Sequence, residues 1–112
     1  MGGDRWHLIE EEGALTLTRL LPARFDLAAE TVLAGHGGRR RLAHLVRQDM
    51  WRALRHLRGF APVVRVWRVP GGLHVMAGGA VDGRFARAEA EARIALLLAD
   101  PGHRARWMGF GR

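Results

Sequence analysis

The sequence predicts an α+β fold: an antiparallel sheet of four or five strands, made from two hairpins, with two main helices packed on one face. Three observations carry this. Residues 14–21, ALTLTRLL, alternate with the period of a strand. Residues 39–58 contain no Gly or Pro and repeat their apolar positions at helical spacing. Pro70-Gly71-Gly72 is a turn signal between two β-rich runs. The predicted order is β-β-(β)-α-β-β-α plus a short C-terminal helix, as one domain over 1–112.

Taken in order, Trp6 to Glu10 reads as a short strand, Glu11 to Gly13 as a polar turn and Ala14 to Leu21 as the return strand of a hairpin. Pro22 ends it. Residues 24–33, RFDLAAETVL, alternate as a third strand would, although Asp26 could also cap a short helix; the strand is the favoured reading. Gly35-His36-Gly37-Gly38 is a flexible entry to the main helix, and Gly59 is placed as its C′ residue. Pro62 to Val69 and Leu73 to Val81 form the second hairpin, with Gly78-Gly79 suggesting a bend or bulge. Phe85 to Ala99 reads as a helix with Phe85, Ala88, Ala92, Ala95, Leu96 and Ala99 on one face, lying close against the sheet. Asp100-Pro101 reads as the N-cap and first residue of a last short helix.

The helix at 39–58 has two sides. At about 100° per residue, Leu42, Val46, Met50, Ala53 and Leu57 fall within an arc of roughly 80°. Ala43, Leu54 and Leu45 widen that arc. Opposite it stand Arg40, Arg41, His44, Arg47, Gln48, Trp51, Arg52, Arg55 and Arg58, spread along about 30 Å.

All 18 basic residues are Arg, and Ser, Tyr, Asn, Lys and Cys are absent, the pattern of a GC-rich bacterial coding bias. That bias explains Arg over Lys but not where the charge sits. Residues 36–68 hold nine arginines and one acid, Asp49, while the rest is near balance, nine arginines against ten acids. A local excess of this kind points to a polyanionic partner.

The leading expectation is therefore a nucleic-acid interface, RNA ahead of duplex DNA, made by Arg40, Arg41, His44, Arg47, Trp51, Arg52, Arg55 and Arg58. The arginines would meet phosphates and Trp51 an unpaired base. The loop Gly35, His36, Gly37, Gly38 with Arg39 is a second anion candidate, because glycines and free N–H groups at a helix start favour anions. It lacks the spacing of a phosphate-binding loop or a dinucleotide fingerprint. The alternative is an acidic protein surface or a homodimer anchored by Trp51. The tail residues His103, Arg104, Arg106, Trp107, Phe110 and Arg112 could also meet RNA, but docking of Trp107 and Phe110 onto the core is favoured.

Catalysis has few parts. Without Ser, Cys or Tyr the usual nucleophiles are missing. Asp49 is expected to pair with Arg52 or Arg41 rather than to act as a base. Glu89 and Glu91 read as surface charges near Arg87 and Arg93. The six histidines show no metal-ligand spacing, so neither a metal nor a cofactor is expected. No apolar run approaches the ~20 residues of a membrane span. The start, MGGDRWHLIEEEG, shows no signal peptide, and the expected location is the cytoplasm.

Overall fold

The computed structural model describes residues 5–109. The first four residues of the start read for a leader, and the tail residues Phe110 and Arg112, lie outside the described residues. The elements are β1 (His7–Glu11), β2 (Ala14–Thr18), β3 (Leu27–Ala34), α1 (Arg39–Leu54), β4 (Ala61–Val69), β5 (Gly72–Ala80), α2 (Arg87–Ala99) and α3 (Pro101–Trp107). One five-stranded antiparallel sheet has the order β1-β2-β4-β5-β3. Residues 24–33 thus do contain a strand, starting at Leu27. Asp26 caps nothing helical: it accepts from Arg24 and from the Val81 N–H, at 2.9 Å each, pinning the start of β3 to the end of β5.

Local chemistry sets the hairpins. Glu12 and Gly13 both take positive φ, 52° and 84°, between the paired residues Glu11 and Ala14. A two-residue turn with both φ positive matches the twist of its strands. Gly78 and Gly79 do not form a bulge, because β5 keeps unbroken register with both β3 and β4 across them. They are there for close approach. A Cβ on Gly78 would collide with the Leu27 carbonyl of the neighbouring strand.

Period-two alternation separates the sheet into two faces. Leu15 and Leu17 of β2, Val64 and Val66 of β4, Leu73, Val75 and Ala77 of β5, and Leu27 and Leu33 of β3 face the helices. On α1, Leu42, Val46, Met50 and Leu54 are fully buried against them, each worth about 2 kcal/mol of transfer free energy. The helix ends at Leu54, four residues before the expected end. From there Leu57 N–H donates to Leu54 O and Phe60 N–H to Leu57 O, tight turns that lower Phe60 into the core and start β4. Arg55 is the C-cap, and Arg58 lies in the turn rather than on the helix.

The expected face of α2 is its solvent side. Ala88, Ala92, Ala95 and Ala99 are exposed and Leu96 is 73% exposed, whereas Ala90, Ile94 and Leu98 are buried. Ile94 and Leu98 remove more apolar surface from water than alanines do, so the helix turns that way. The outer edge of β3 is blocked by side chains. Glu91 of α2 accepts from the Ala28 N–H at 2.9 Å, and Arg104 of α3 donates to the Val32 carbonyl at 2.8 Å. Glu91 is therefore half-buried and structural, not only a surface charge. Asp100 caps α3 by accepting from the His103 N–H at 2.9 Å, with Pro101 as its first residue. Among the described residues no helix is long and apolar enough to cross a membrane.

This packing predicts opposite outcomes for two neighbouring substitutions. Ile94→Ala should cost about 2–4 kcal/mol in urea unfolding, and Leu96→Ala should stay within about 0.5 kcal/mol of the wild type. The reverse order would restore the face read from the sequence.

Candidate functional site

Asp49 decides the layout of the cationic surface. Seven residues after Leu42, it falls back into the apolar sector of α1 at about 100° per residue. It is 6% exposed. A carboxylate so placed needs partners, and α3 supplies them. Trp107 Nε1 donates to Asp49 Oδ2 at 2.7 Å, and Arg106 Nη2 donates to the same oxygen. Arg52 approaches Oδ1 loosely, at 3.5 Å. The expected pairing with Arg41 does not form. Arg41 Nη1 donates instead to the Trp107 carbonyl at 2.7 Å, closing the C-terminal end of α3. The one acid within the basic segment is thus turned inward and shared with a second helix.

Apart from Arg52, the outward arginines of α1 and the turn after it stay without carboxylates. No carboxylate of the described residues comes within salt-bridge distance of Arg40, Arg41, Arg47, Arg55 or Arg58. The Arg52 side chain is 73% exposed even beside Asp49. Arg40, Arg41, Arg52, Arg55 and Arg58 are exposed residues. They form a cationic strip that Arg106 of α3 extends.

Three predicted members differ from expectation. Arg39, expected in the anion loop, is committed elsewhere: its Nη1 and Nη2 donate to both carboxylate oxygens of Glu10, at 2.7 and 2.8 Å, and Nη1 also to Gly13 O. Glu10 stands opposite Leu15 on the helix side of the sheet, so it meets the first turn of α1. That bidentate bond holds Glu10 below the usual carboxylate range. His44 is half-buried. Burial, then the guanidinium charges of Arg47 and Arg40, hold it below the usual imidazole value. Arg47 is also half-buried, its guanidinium 4.6 Å from the centre of the Trp6 ring.

Trp51 is 40% exposed and stacks on Phe60 with parallel rings, centroids 6.2 Å apart. Its indole is thus held in place within the chain while part of it faces water. Gly37 and Gly38 of the second candidate loop line an open groove of about 760 Å³ with Arg41, Gly102, Ala105, Arg106 and Gly109. Gly38 is the N-cap of α1 without a side-chain bond, and His36 is exposed. Gly35 takes φ 112° and bonds the Gly71 carbonyl at 2.9 Å. The structure therefore brings Gly37, Gly38, Arg41 and Arg106 together and takes Arg39 away.

The tail is largely structural. Trp107 is buried, and Arg104 donates to Thr31 Oγ1, Leu98 O and Val32 O within 3.0 Å. Sequence reasoning missed Trp6 and Arg19, which join the surface around Arg47. It also missed Arg106 as a partner of Asp49. The wheel position of Asp49 was the available signal for a buried bond; no local pattern names Trp6.

Comparison with protein-family models, curated proteins and solved structures finds no match to this chain.

The Asp49 bonds predict a graded loss of stability. Asp49→Ala leaves the buried Trp107 N–H without an acceptor and should cost about 2 kcal/mol in chemical denaturation. Asp49→Asn keeps an acceptor and should cost less. Arg106→Gln, at a half-exposed cation, should cost under about 1 kcal/mol. Equal losses for Asp49→Ala and Arg106→Gln would shift the weight from the indole bond to the ion pair.

Proposed function

We propose that this chain binds nucleic acid, RNA being favoured, through the outward side of α1 and the turn after it. The observation that carries the reading is charge without countercharge. Arg40, Arg41, Arg55 and Arg58 face solvent with no carboxylate beside them, and the segment's single acid is bonded to α3 and keeps only a 3.5 Å contact with the exposed Arg52. Arg40 to Arg55 spans about 22 Å at the helical rise, long enough to follow several phosphates of one strand. Each phosphate met by an arginine releases condensed counterions, which supplies most of the affinity and makes it salt-dependent.

An acidic protein patch could meet the same charges. Two features favour a nucleic acid. The arginines are strung along an extended strip rather than gathered around one anchor. Trp51, fixed by Phe60, offers an indole to a base, and stacking of that kind is available only from an unpaired strand. RNA presents unstacked bases in loops and ends more readily than duplex DNA does.

Binding to single-stranded RNA should therefore weaken steeply with salt. Four to five phosphate contacts give a slope of log affinity against log salt of about −3. Arg52→Gln combined with Arg55→Gln should flatten that slope by about 1.4 without changing the unfolding midpoint. Absence of binding near about 50 mM salt, or a slope that the double variant leaves unchanged, would defeat the reading.

His44 adds a pH signature. Its folded value lies below the unfolded value of about 6.5. Protonation thus favours the unfolded chain, and His44 lowers stability as pH falls through that value. A bound polyanion offsets Arg40 and Arg47 and should raise the His44 pKa. Binding should then take up protons and tighten as pH falls from about 7 to 6. NMR titration of the imidazole with and without RNA reads this directly, and His44→Gln should abolish the proton uptake.

A further inference from the structure

The two edges of the sheet are built differently. At β3 the outward backbone is met by side chains: Glu91 accepts from the Ala28 N–H and Arg104 donates to the Val32 carbonyl. At β1 the two-residue turn makes Glu11 and Ala14 a hydrogen-bonded pair, so Ile9 and His7 also bond inward to β2. The N–H and C=O groups of Leu8 and Glu10 then point away from the sheet. Among the described residues these groups have no hydrogen-bond partner. The strand also carries neither a proline nor a bulge, two usual protections of an edge.

Charge is ordered along this edge. At its start Arg5 is exposed, and Trp6 has the guanidinium groups of Arg19 and Arg47 over its ring, at 5.3 and 4.6 Å from the centre. No carboxylate of the described residues comes within salt-bridge distance of Arg19 or Arg47. At its end Glu10, Glu11 and Glu12 are all exposed, and among the described residues only Glu10 of the three is ion-paired, with Arg39. Between the ends, Leu8 is half-buried and continues the apolar row of Leu17 and Val64 on the helix side. An antiparallel copy of the same strand presents the reverse order of charge, so each cationic end meets an acidic one. A two-fold arrangement makes every such contact twice.

We propose that β1 pairs antiparallel with β1 of a second copy of this chain, joining two sheets edge to edge about a two-fold axis at Leu8. The register follows from the bonding: even-numbered residues point outward, so even must face even. With Leu8 opposite the partner's Leu8, Trp6 stands opposite the partner's Glu10 and Arg5 opposite the partner's Glu11. Leu8 exchanges two backbone hydrogen bonds with its counterpart and each pair of Trp6 and Glu10 two more, about six in all. An axis at Ile9 would set Leu8 against the partner's Glu10, and an axis at Glu10 would oppose like charges. The two-fold keeps α1 of both copies on one side of the joined sheet. The inference goes beyond the nucleic-acid reading and does not rest on it.

Sedimentation of the full chain without nucleic acid tests this. At about 100 μM the wild type should have twice the mass of one chain. Leu8→Pro removes an outward N–H and leaves the bonds of β1 to β2 in place, and it should yield a monomer. Glu11→Arg should weaken the dimer about tenfold, because the contact occurs twice, and adding Arg5→Glu should restore it. This charge exchange carries the test if Leu8→Pro fails to fold. A wild type that is monomeric at that concentration leaves the edge to some other chain and overturns the inference. A dimer that Glu11→Arg leaves unweakened, or a loss that Arg5→Glu does not reverse, overturns it as well. The phosphate strip of α1 stands or falls separately, by the salt dependence of RNA binding.

Discussion

The bond between the Asp49 carboxylate and the Trp107 indole is the contact on which the surface depends. Asp49 is the only acid among the nine arginines of residues 36–68. Left on the outer side of α1 it would neutralise neighbours three or four positions away. Buried, it must be hydrogen-bonded, and α3 meets that need with Trp107 Nε1 and Arg106. One bond thus fixes the C-terminal helix to α1 and removes the segment's own countercharge. Arg41 completes the join by donating to the Trp107 carbonyl. The cationic strip is a by-product of how the end of the chain is tied down.

A second constraint comes from the sheet. All its helices lie on one side, so every residue at the rim of that side meets either a helix or the gap beside it. Glu10 meets the first turn of α1 and holds Arg39. Trp6 meets the middle of α1 and holds the Arg47 guanidinium over its ring. These contacts divide seven apparently equivalent cationic positions into kinds. Arg39 is committed to a carboxylate. Arg47 and His44 are half-buried and electrostatically strained. Arg40, Arg52, Arg55 and Arg58 are solvated. Among the described residues the opposite face of the sheet has no helix; it carries Arg65 bonded to Thr16, and His74 stacked on Trp67 and bonded to Glu30. Its charges are mixed in sign, which sets it apart from the α1 surface.

Much of the fold was legible because its signals are local. Alternation marked β2, the Pro70-Gly71 turn marked the second hairpin, and Asp100-Pro101 marked the start of α3. What failed was the choice of face where side chains were small. In α2 the alanine row and the Ile94–Leu98 row are both apolar, and the latter is buried because it removes more apolar surface from water. The end of α1 failed for a related reason. Residues 55–58 are good helix formers, but the chain must turn there to bury Phe60 and begin β4. The Gly78-Gly79 pair was legible as unusual, yet its cause, contact with the Leu27 carbonyl, belongs to another strand.

By itself the sequence determined the class of fold, the order of its elements, the amphipathic character of α1 and the segregation of positive charge, because each depends on residues a few positions apart. The tertiary structure alone decided which of those charges remain free. That outcome turns on partners far along the chain: Trp107 and Arg106 for Asp49, Glu10 for Arg39, Trp6 for Arg47. No periodicity links such residues, since their approach is set by strand register and by the single-sided stacking of helices on the sheet.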